Sequence, residues 1–172
     1  MAEYFAAFLG LRGRRCLVVG GGVVGERKAL DLLGCGALVR VVSPTLTPGL
    51  ATLVAEGRVH HRARRFRLWD VRGSTVVVAA TGDPLVDAAV AGQARRHHAL
   101  VNVVDDAAHC DFIVPSVLRR GPLQIAVSTS GRSPALAREI RRRLEPLFDA
   151  ELGEVVEEVG RLRAKARSHR IS

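Results

Sequence analysis

The amino-acid sequence is poor in aromatic residues, in cysteine and in long apolar runs. Its apolar runs, such as residues 16–19 and 76–80, are far shorter than the roughly 20 residues that a membrane-spanning helix needs, so we expect no membrane segment. Three widely spaced cysteines, Cys16, Cys35 and Cys110, fit neither a disulfide framework nor paired zinc ligands. We therefore expect a soluble protein with reduced thiols.

Acidic residues are outnumbered, with 17 Asp and Glu against 26 Lys and Arg and a formal net charge of +9. The basic run of Arg62, Arg64, Arg65 and Arg67 raises nucleic acid as a partner, but aromatics make up only 4% of the chain and no nucleic-acid motif is present. A basic surface serves equally well to attract a small polyanionic substrate. Residues 1–4 lack the features of a secretory signal, so we expect a cytoplasmic protein.

Short apolar strands alternate with helical segments over the first two thirds of the chain. The predicted strands cover residues 14–19, 38–42, 75–80 and 99–104, and the predicted helices cover residues 23–33, 48–56 and 85–97. Asp83 and Pro84 provide an N-cap and a first residue for the third helix. This order predicts an α/β fold with a Rossmann-like doubly wound parallel sheet.

The pattern changes after Asp111. Apolar residues 112–118 and 123–128 flank Arg-Arg-Gly-Pro, which predicts a hairpin. Ser133 and Pro134 then begin a long helical region. Its apolar residues recur at helical spacing and are Leu136, Ile140, Leu144, Leu147, Phe148, Leu152, Val155, Val159 and Leu162. Such a stripe must be buried, either against a partner subunit or against the same chain.

Residues 20–25 read Gly-Gly-Gly-Val-Val-Gly and match the pattern G-x-G-x-x-G between a predicted strand and a predicted helix. In this context Gly20 permits a tight turn, Gly22 lets a pyrophosphate approach the backbone, and Gly25 lets the helix pack closely on the strand. The helix N-terminus offers amide donors to the phosphates. The segment therefore predicts a dinucleotide-binding site.

The ends of the next strands supply further candidates at the same edge of the sheet. After the second strand, Ser43 can bond a ribose hydroxyl and Pro44 and Thr45 can line the adenosine, but no carboxylate marks NAD, so NAD and NADP both stay open. Thr81 follows the third strand, either to reach the cofactor or as a turn residue before Asp83. Both readings stay open.

The fourth strand ends in Asn-Val-Val-Asp-Asp, which places Asp105 and Asp106 on the rim where nicotinamide and substrate are expected to meet. A carboxylate there can take a proton while a hydride leaves for the nicotinamide. A surface acid or a helix cap is the alternative.

Taken together, the motifs resemble the precorrin-2 dehydrogenase and sirohydrochlorin ferrochelatase family, which occurs as the N-terminal module of sirohaem synthases and as a free-standing protein. The matching segments are FLGL at 8–11, GGGVVGERK at 20–28, AAT at 79–81, NVVD at 102–105, CDFIVP at 110–115, RGPL at 120–123 and STSGRSP at 128–134. The resemblance covers nearly the whole chain.

The resemblance implies hydride transfer from precorrin-2 to NAD, giving sirohydrochlorin, with Asp105 as the acid/base group. It places Val23 and Val24 at the cofactor pyrophosphate and residues 43–45 at the adenosine. Some family members also insert ferrous iron into sirohydrochlorin, and the motifs do not separate the two groups. The substrate is an octacarboxylate, and Arg119, Arg120 and Arg132 lie in the segments that the resemblance brings closest to it, without deciding which of them binds it.

The family also implies a homodimer interlocked through the segment after the sheet. We therefore predict an NAD-binding Rossmann-like domain at 1–112, a small α+β dimerisation element at 113–146 and a C-terminal helical segment at 147–172. A serine that is phosphorylated in some members falls at Thr129, and Ser130 replaces a glycine. A methyltransferase domain, often fused downstream in the family, is absent from these residues.

Two other functions remain as alternatives. One is another NAD(P)-dependent dehydrogenase, which would leave the motifs at 102–105 and 128–134 unexplained. The other is an NAD(H)-sensing dimeric binding protein without catalysis, which would bind the cofactor and leave precorrin-2 unchanged. The six histidines share no ligand spacing with a Cys or carboxylate cluster, so we predict no metal site.

Overall fold

The computed structural model describes residues 4–168. The strands are β1 (Arg15–Val19), β2 (Leu38–Val42), β3 (Val59–Arg62), β4 (Val76–Ala79), β5 (Leu100–Val103), β6 (Ser116–Arg120) and β7 (Leu123–Val127). The helices are α1 (Val23–Gly34), α2 (Pro48–Ala55), α3 (Pro84–Arg96), α4 (Pro134–Leu144) and α5 (Ala150–Ser168). The chain divides into a sheet unit, Tyr4–Ile113, and a C-terminal unit that begins at Val114.

The sheet unit contains a five-stranded sheet in the order β3-β2-β1-β4-β5. Every neighbouring pair of these strands is parallel. One apolar layer packs Ala29 of α1 and Leu50 of α2 against Val41, and the other packs Val90 of α3 against Leu17 on the opposite face. This architecture confirms the predicted Rossmann-like sheet.

Side-chain caps begin the helices where the sequence predicts them. Asp83 accepts hydrogen bonds from the backbone N–H groups of Leu85 and Val86 at 3.0 and 3.3 Å, and Pro84 is the first residue of α3. Ser133 likewise accepts from the N–H of Leu136 at 3.2 Å at the start of α4. These bonds satisfy amides that a helix leaves without internal partners.

The sequence analysis missed β3, because its residues read Val-His-His-Arg and lack the apolar character of a buried strand. It pairs with β2 alone and forms the edge of the sheet. Part of the basic run that follows is paired within the protein: Asp70, whose side chain is fully buried, accepts bonds from Arg62 at 3.1 Å and from Arg64 at 2.7 Å. The run is therefore not simply a solvated surface.

In the C-terminal unit β6 and β7 form the predicted hairpin, with Gly121 at a positive φ of 53° in its turn. Residues 112–115 precede β6 rather than belong to it. The long helical region predicted after Pro134 consists of two helices, because α4 ends at Leu144 and a short turn at Glu145–Leu147 separates it from α5. Pro146 lies in that turn and has no N–H to continue the hydrogen bonding of α4.

The C-terminal unit buries little of its apolar surface. Between Val114 and Ser168 the buried residues are Leu118, Ala137 and Gly153. Its large exposed apolar side chains are Val114, Leu136, Ile140, Leu147, Val155, Val156, Val159 and Leu162. Among the residues that the structure describes, no helix is both long enough and apolar enough to cross a membrane.

Candidate cofactor and active site

A cleft of about 600 Å³ opens at the carboxyl edge of the sheet, where ligands bind in open α/β folds. Residues that follow β1, β4 and β5 line it, together with the first turns of α1 and α3. The lining residues are Gly22, Val23, Val24, Ala80, Thr81, Gly82, Pro84, Asp87, Val103, Val104, Asp105 and Asp106. The structure therefore brings together five of the predicted site residues: Gly22, Val23, Val24, Thr81 and Asp105.

Gly20 and Gly25 do not line the cleft, and both serve close packing within the protein. Gly20 has a φ of 116°, and a Cβ there would lie 2.2 Å from the carbonyl oxygen of Ala80. A Cβ on Gly25 would lie 2.2 Å from the carbonyl oxygen of Gly20. Any side chain at either position would push the turn away from β4 or from α1.

Gly21 has a packing role that the sequence analysis did not assign. A Cβ there would lie 2.1 Å from the carbonyl oxygen of Thr45 and 2.9 Å from Cβ of Ser43. The glycine turn is thus packed directly against the segment after β2. The binding pattern requires no glycine at position 21, so a glycine there was the sequence signal for this close packing.

Gly22 differs from its neighbours, because no protein atom lies within 4 Å of the position that its Cβ would take. It is the N-cap of α1 and provides no side-chain hydrogen bond to the first turn of that helix. Amides of this turn are therefore left for an anionic ligand beside Val23 and Val24. Open space and amide donors at one helix N-terminus fit the pyrophosphate of a dinucleotide.

Ser43, Pro44 and Thr45 lie beside the glycine turn but outside the lining of this cleft. Ser43 is buried, and its carbonyl oxygen lies 2.9 Å from Nε2 of His61. The segment is therefore fixed by β3 on one side and Gly21 on the other. Its predicted contact with adenosine stays a prediction.

Thr81 lines the cleft and also organises the turn before α3. Its hydroxyl donates to the carboxylate of Asp87 at 2.7 Å and accepts from the backbone N–H of Asp83 at 3.1 Å. Asp87 is buried and accepts from the N–H of Thr81 as well. Thr81 therefore acts as the predicted turn residue, and its contact with the cofactor stays a prediction. Asp87 was not predicted as part of this turn, because a carboxylate one turn into a helix is only a weak sequence signal for such a contact.

Asp105 follows β5 with a φ of 59°, a left-handed conformation that aspartate tolerates better than most residues. Its side chain lines the cleft and is exposed. Within the described part of the chain its carboxylate takes part in no hydrogen bond or ion pair. It is thus available to a ligand.

Asp106 is a cap, although it lines the same cleft. Its carboxylate accepts from the backbone N–H of His109 at 3.3 Å and lies 2.6 Å from Nδ1 of that residue. The hydrogen bond from His109 lowers the pKa of Asp106 from its ordinary value. Of the two adjacent acids, Asp106 is occupied by the protein and Asp105 is not.

Cys110 ties the loop that carries both acids back to β5. Its Sγ accepts from the N–H of Val103 at 3.1 Å and lies 3.2 Å from the carbonyl oxygens of Val103 and Asp106. Burial raises the pKa of this thiol, which keeps it protonated and able to donate. Asn102 adds a second tie by donating to the carbonyl oxygen of Phe112 at 3.0 Å. This role of Cys110 was not predicted from the sequence, where it was expected to be a reduced thiol.

Lys28 of α1 is half-buried, and its charge interacts with that of Asp105. Burial lowers the pKa of the ammonium group, while the negative charges of Asp31 and Asp105 act in the opposite sense. A cation therefore stands near the unpaired carboxylate.

The three arginines that the resemblance assigns to the substrate belong to the C-terminal unit. Arg119 and Arg132 are exposed, whereas Arg120 donates through Nε to the carbonyl oxygen of Phe148 at 2.7 Å. Ser130, which stands where the family has glycine, takes a left-handed φ of 54°. Across residues 4–168, no group of three or more His, Cys, Asp and Glu side chains is placed to hold a metal ion.

Two family models match the chain. A model for NAD(P)-binding domains matches residues 7–116, and a model described as the central part of a sirohaem biosynthesis protein matches residues 120–146. The first model covers more than half of the chain, so the chain belongs to the family of NAD(P)-binding domains that it describes. These matches confirm the resemblance drawn from the motifs.

Curated relatives are similar over almost the whole chain. The siroheme synthase of Nitrosomonas eutropha is 42% identical over 97% of this chain and 35% of its own length. That of Methylobacillus flagellatus is 47% identical over 88% of this chain and 32% of its own length. That of Neisseria meningitidis serogroup B is 46% identical over 94% of this chain and 33% of its own length. The chain thus spans about a third of these relatives.

Among solved structures, SirC, a precorrin-2 dehydrogenase, matches with a TM-score of 0.80 and 27% identity. The match covers 97% of this chain and 86% of SirC. A protein of similar size therefore shares this fold.

Proposed function

We propose that this chain catalyses the NAD-dependent dehydrogenation of precorrin-2 to sirohydrochlorin, a step of sirohaem biosynthesis. The observation that carries the proposal is a dinucleotide cleft with an unpaired aspartate, Asp105, on its rim. The similarity to SirC over 97% of the chain supports the choice of substrate.

In this proposal the first turn of α1 would hold the cofactor pyrophosphate at Gly22, Val23 and Val24, and Thr81 lines the same cleft. Ser43, Pro44 and Thr45 contact the adenosine. No basic residue in the segment 43–47 is available to pair with the 2′-phosphate of NADP, which favours NAD. Bound there, NAD would supply the hydride acceptor of the reaction.

Dehydrogenation removes a hydride and a proton from the substrate, and we assign the proton to Asp105. Its carboxylate is exposed in the cleft and makes no bond to the described protein, so its oxygens are available as a base. Asp106 already accepts bonds from His109 and serves as the cap that shapes the loop.

The same proposal covers how the substrate is attracted, the oligomeric state and the cellular location. A net charge of +9 attracts an acidic tetrapyrrole, and Arg119, Arg120 and Arg132 are the candidates to bind its carboxylates. The exposed apolar face of α5 favours a homodimer. The described cysteines, Cys16, Cys35 and Cys110, are all unpaired, which fits a cytoplasmic location.

The test is a spectral assay of the purified protein with precorrin-2 and either NAD or NADP. We expect conversion to sirohydrochlorin with NAD. Ferrous iron added afterwards tests whether the chain also inserts the metal. Binding of NAD without any change in precorrin-2 would contradict the proposal and favour an NAD(H)-sensing protein.

Gly22→Asp is the matched variant for the cofactor. A side chain at this position meets no neighbouring atom, and aspartate is a good N-cap, so the variant is expected to fold. It would occupy the pyrophosphate position with a negative charge, and we expect NAD binding to be lost in calorimetry. Unchanged NAD affinity would show that the cofactor does not bind at this turn.

A further inference from the structure

A second cavity in the sheet unit, of about 580 Å³, shares no lining residue with the cofactor cleft. It is formed by the amino-terminal parts of β1 and β2, by β3, and by the segments before β3 and β4. Its lining residues are Arg15, Cys16, Leu38, Val39, Arg40, Gly57, Arg58, His60, His61, Arg62 and Arg72. Five of them are arginines and none is an acid. We refer to it as the arginine cavity.

The register of the parallel strands explains why the arginines converge. Arg40 pairs with Leu17 of β1 and with His60 of β3, and side chains in register point to the same face of a sheet. Arg15 and Arg62 lie two residues away from these partners in their strands, and so share that face. The helices α1 and α2 pack on the opposite face, which leaves the arginine face of β2 and β3 to the cavity.

Arg40 lies at the centre of this face and lacks a partner. Its Nε is shielded from solvent and, within residues 4–168, has no hydrogen-bond acceptor. Burial lowers the pKa of the guanidinium, and the charge of Arg62 acts in the same direction. A buried donor without an acceptor is rare in folded proteins, and a bound anion would supply the acceptor that Nε of Arg40 lacks.

Asp70, whose charge acts on Arg40, and Glu56, which is bonded to the cavity residue Arg58, both already have partners. Asp70 accepts four hydrogen bonds, two from Arg64, one from Arg62 and one from the N–H of Arg67. Glu56 is paired with Arg58 at 3.1 Å.

Three arginines of the cavity, Arg15, Arg40 and Arg72, therefore have no carboxylate partner in the described part of the chain. These three guanidinium groups give the cavity a positive charge that no carboxylate balances.

We propose that the arginine cavity is a binding site for a small polyanion with at least two phosphate or carboxylate groups. Guanidinium groups bind both kinds of anion in bidentate geometry. One anionic group would reach Nε of Arg40, and a second would lie between Arg15 and Arg72. The volume is within the range of small-molecule sites. The proposal does not depend on the dehydrogenase activity, because the two sites share no residue.

The test uses calorimetry with two compact probes, inorganic pyrophosphate and citrate, which separate phosphate from carboxylate. The titrations are run on the full chain, on Arg40→Gln and on Gly22→Asp, which blocks the glycine turn as an alternative anion site. Arg96→Gln is the control for charge, because Arg96 lies exposed on α3, away from the cavity. Thermal melting establishes that each variant is folded.

We expect at least one probe to bind with a Kd below about 1 mM. Arg40→Gln should weaken it by about tenfold or more, the usual effect of losing a charged hydrogen bond. Gly22→Asp and Arg96→Gln should leave it unchanged. The proposal is overturned if neither probe binds, if binding survives in Arg40→Gln, or if binding disappears in Gly22→Asp. An oligonucleotide titrated in the same way would also overturn it by binding more tightly than both probes and losing that affinity in Arg40→Gln.

Discussion

The sheet unit and the C-terminal unit differ in how much of their apolar surface they bury. In the sheet unit helices pack on each face of the sheet, and residues such as Leu17, Leu50 and Val90 are completely enclosed. In the C-terminal unit Val155, Val159 and Leu162 of α5 remain 54%, 58% and 56% exposed. These three residues are spaced by one helical turn and form a single apolar face.

The difference shows that the two units obtain their stability in different ways. Each of these exposed side chains would gain roughly 1 kcal/mol or more from removal from water, and nothing in the described chain covers them. The sheet unit is stabilised by its own core, whereas the apolar face of α5 has no cover within residues 4–168 and is available to another protein surface. A second copy of the chain is the surface that we propose.

The most drastic way to break this comparison is to place charges on α5. Val155→Glu combined with Val159→Glu should convert a dimer into a monomer, because two carboxylates cannot be buried unpaired in an apolar interface. Light scattering should then report 18.5 kDa instead of twice that mass. A wild-type chain that is already monomeric at micromolar concentration would contradict the proposed role of α5.

A buried ion pair of the sheet unit should matter far more than an exposed one of the C-terminal unit. Asp70→Asn leaves Arg62 and Arg64 without their partner and should cost about 3 kcal/mol of unfolding free energy. Glu158→Gln removes an ion pair with Arg161 whose side chains are 56% and 67% exposed, and should change stability by less than about 0.5 kcal/mol. Urea unfolding of both variants measures the contrast, and equal effects would refute it.

Asp70 also gives the stability of the sheet unit a pH dependence. Burial raises the pKa of Asp70, but the hydrogen bonds and charges of its arginine partners outweigh burial and lower it overall. Its contribution is therefore complete above the unfolded value of about 3.9 and is lost as the pH falls through the lower folded value. Asp70→Asn should flatten this part of the stability profile, and an unchanged acid profile would show that other groups control it.

A smaller difference in stability is expected between replacing a glycine that is packed within the protein and replacing the glycine that faces the cleft. Gly25→Ala places a methyl group against the carbonyl oxygen of Gly20 and should lower the unfolding free energy by about 2 kcal/mol. Gly22→Ala meets no protein atom and should cost less than about 1 kcal/mol, the loss expected at an N-cap. If the two variants were equally stable in urea, the packing role of Gly25 would be wrong.

Local patterns predicted the sheet unit well, because its strands are apolar and its helices begin at strong caps. Asp83 before Pro84 fixed the start of α3 from sequence alone. The edge strand β3 was missed, since His60, His61 and Arg62 are placed in a strand by pairing with β2 rather than by their own preference. Tertiary context decides such segments.

The candidate site could be predicted only in part for the same reason. The glycine pattern and the rim position of Asp105 are local in sequence. The ties that shape the site are not, since Asp87 holds Thr81 across a turn and Cys110 holds the loop to Val103. The sequence also could not show that Asp106 is occupied by His109, which is what distinguishes the two adjacent acids.

The central claim is that Asp105 is the base of the dehydrogenation, and its most direct test compares Asp105→Ala with Asp106→Ala. Turnover of precorrin-2 with NAD is followed as NADH forms, and NAD affinity is measured alongside. We predict that Asp105→Ala keeps its fold and NAD affinity but loses roughly 10²-fold or more in turnover, whereas Asp106→Ala loses far less. An inactive Asp106 variant beside an active Asp105 variant, or near-normal turnover in both, would contradict the assignment.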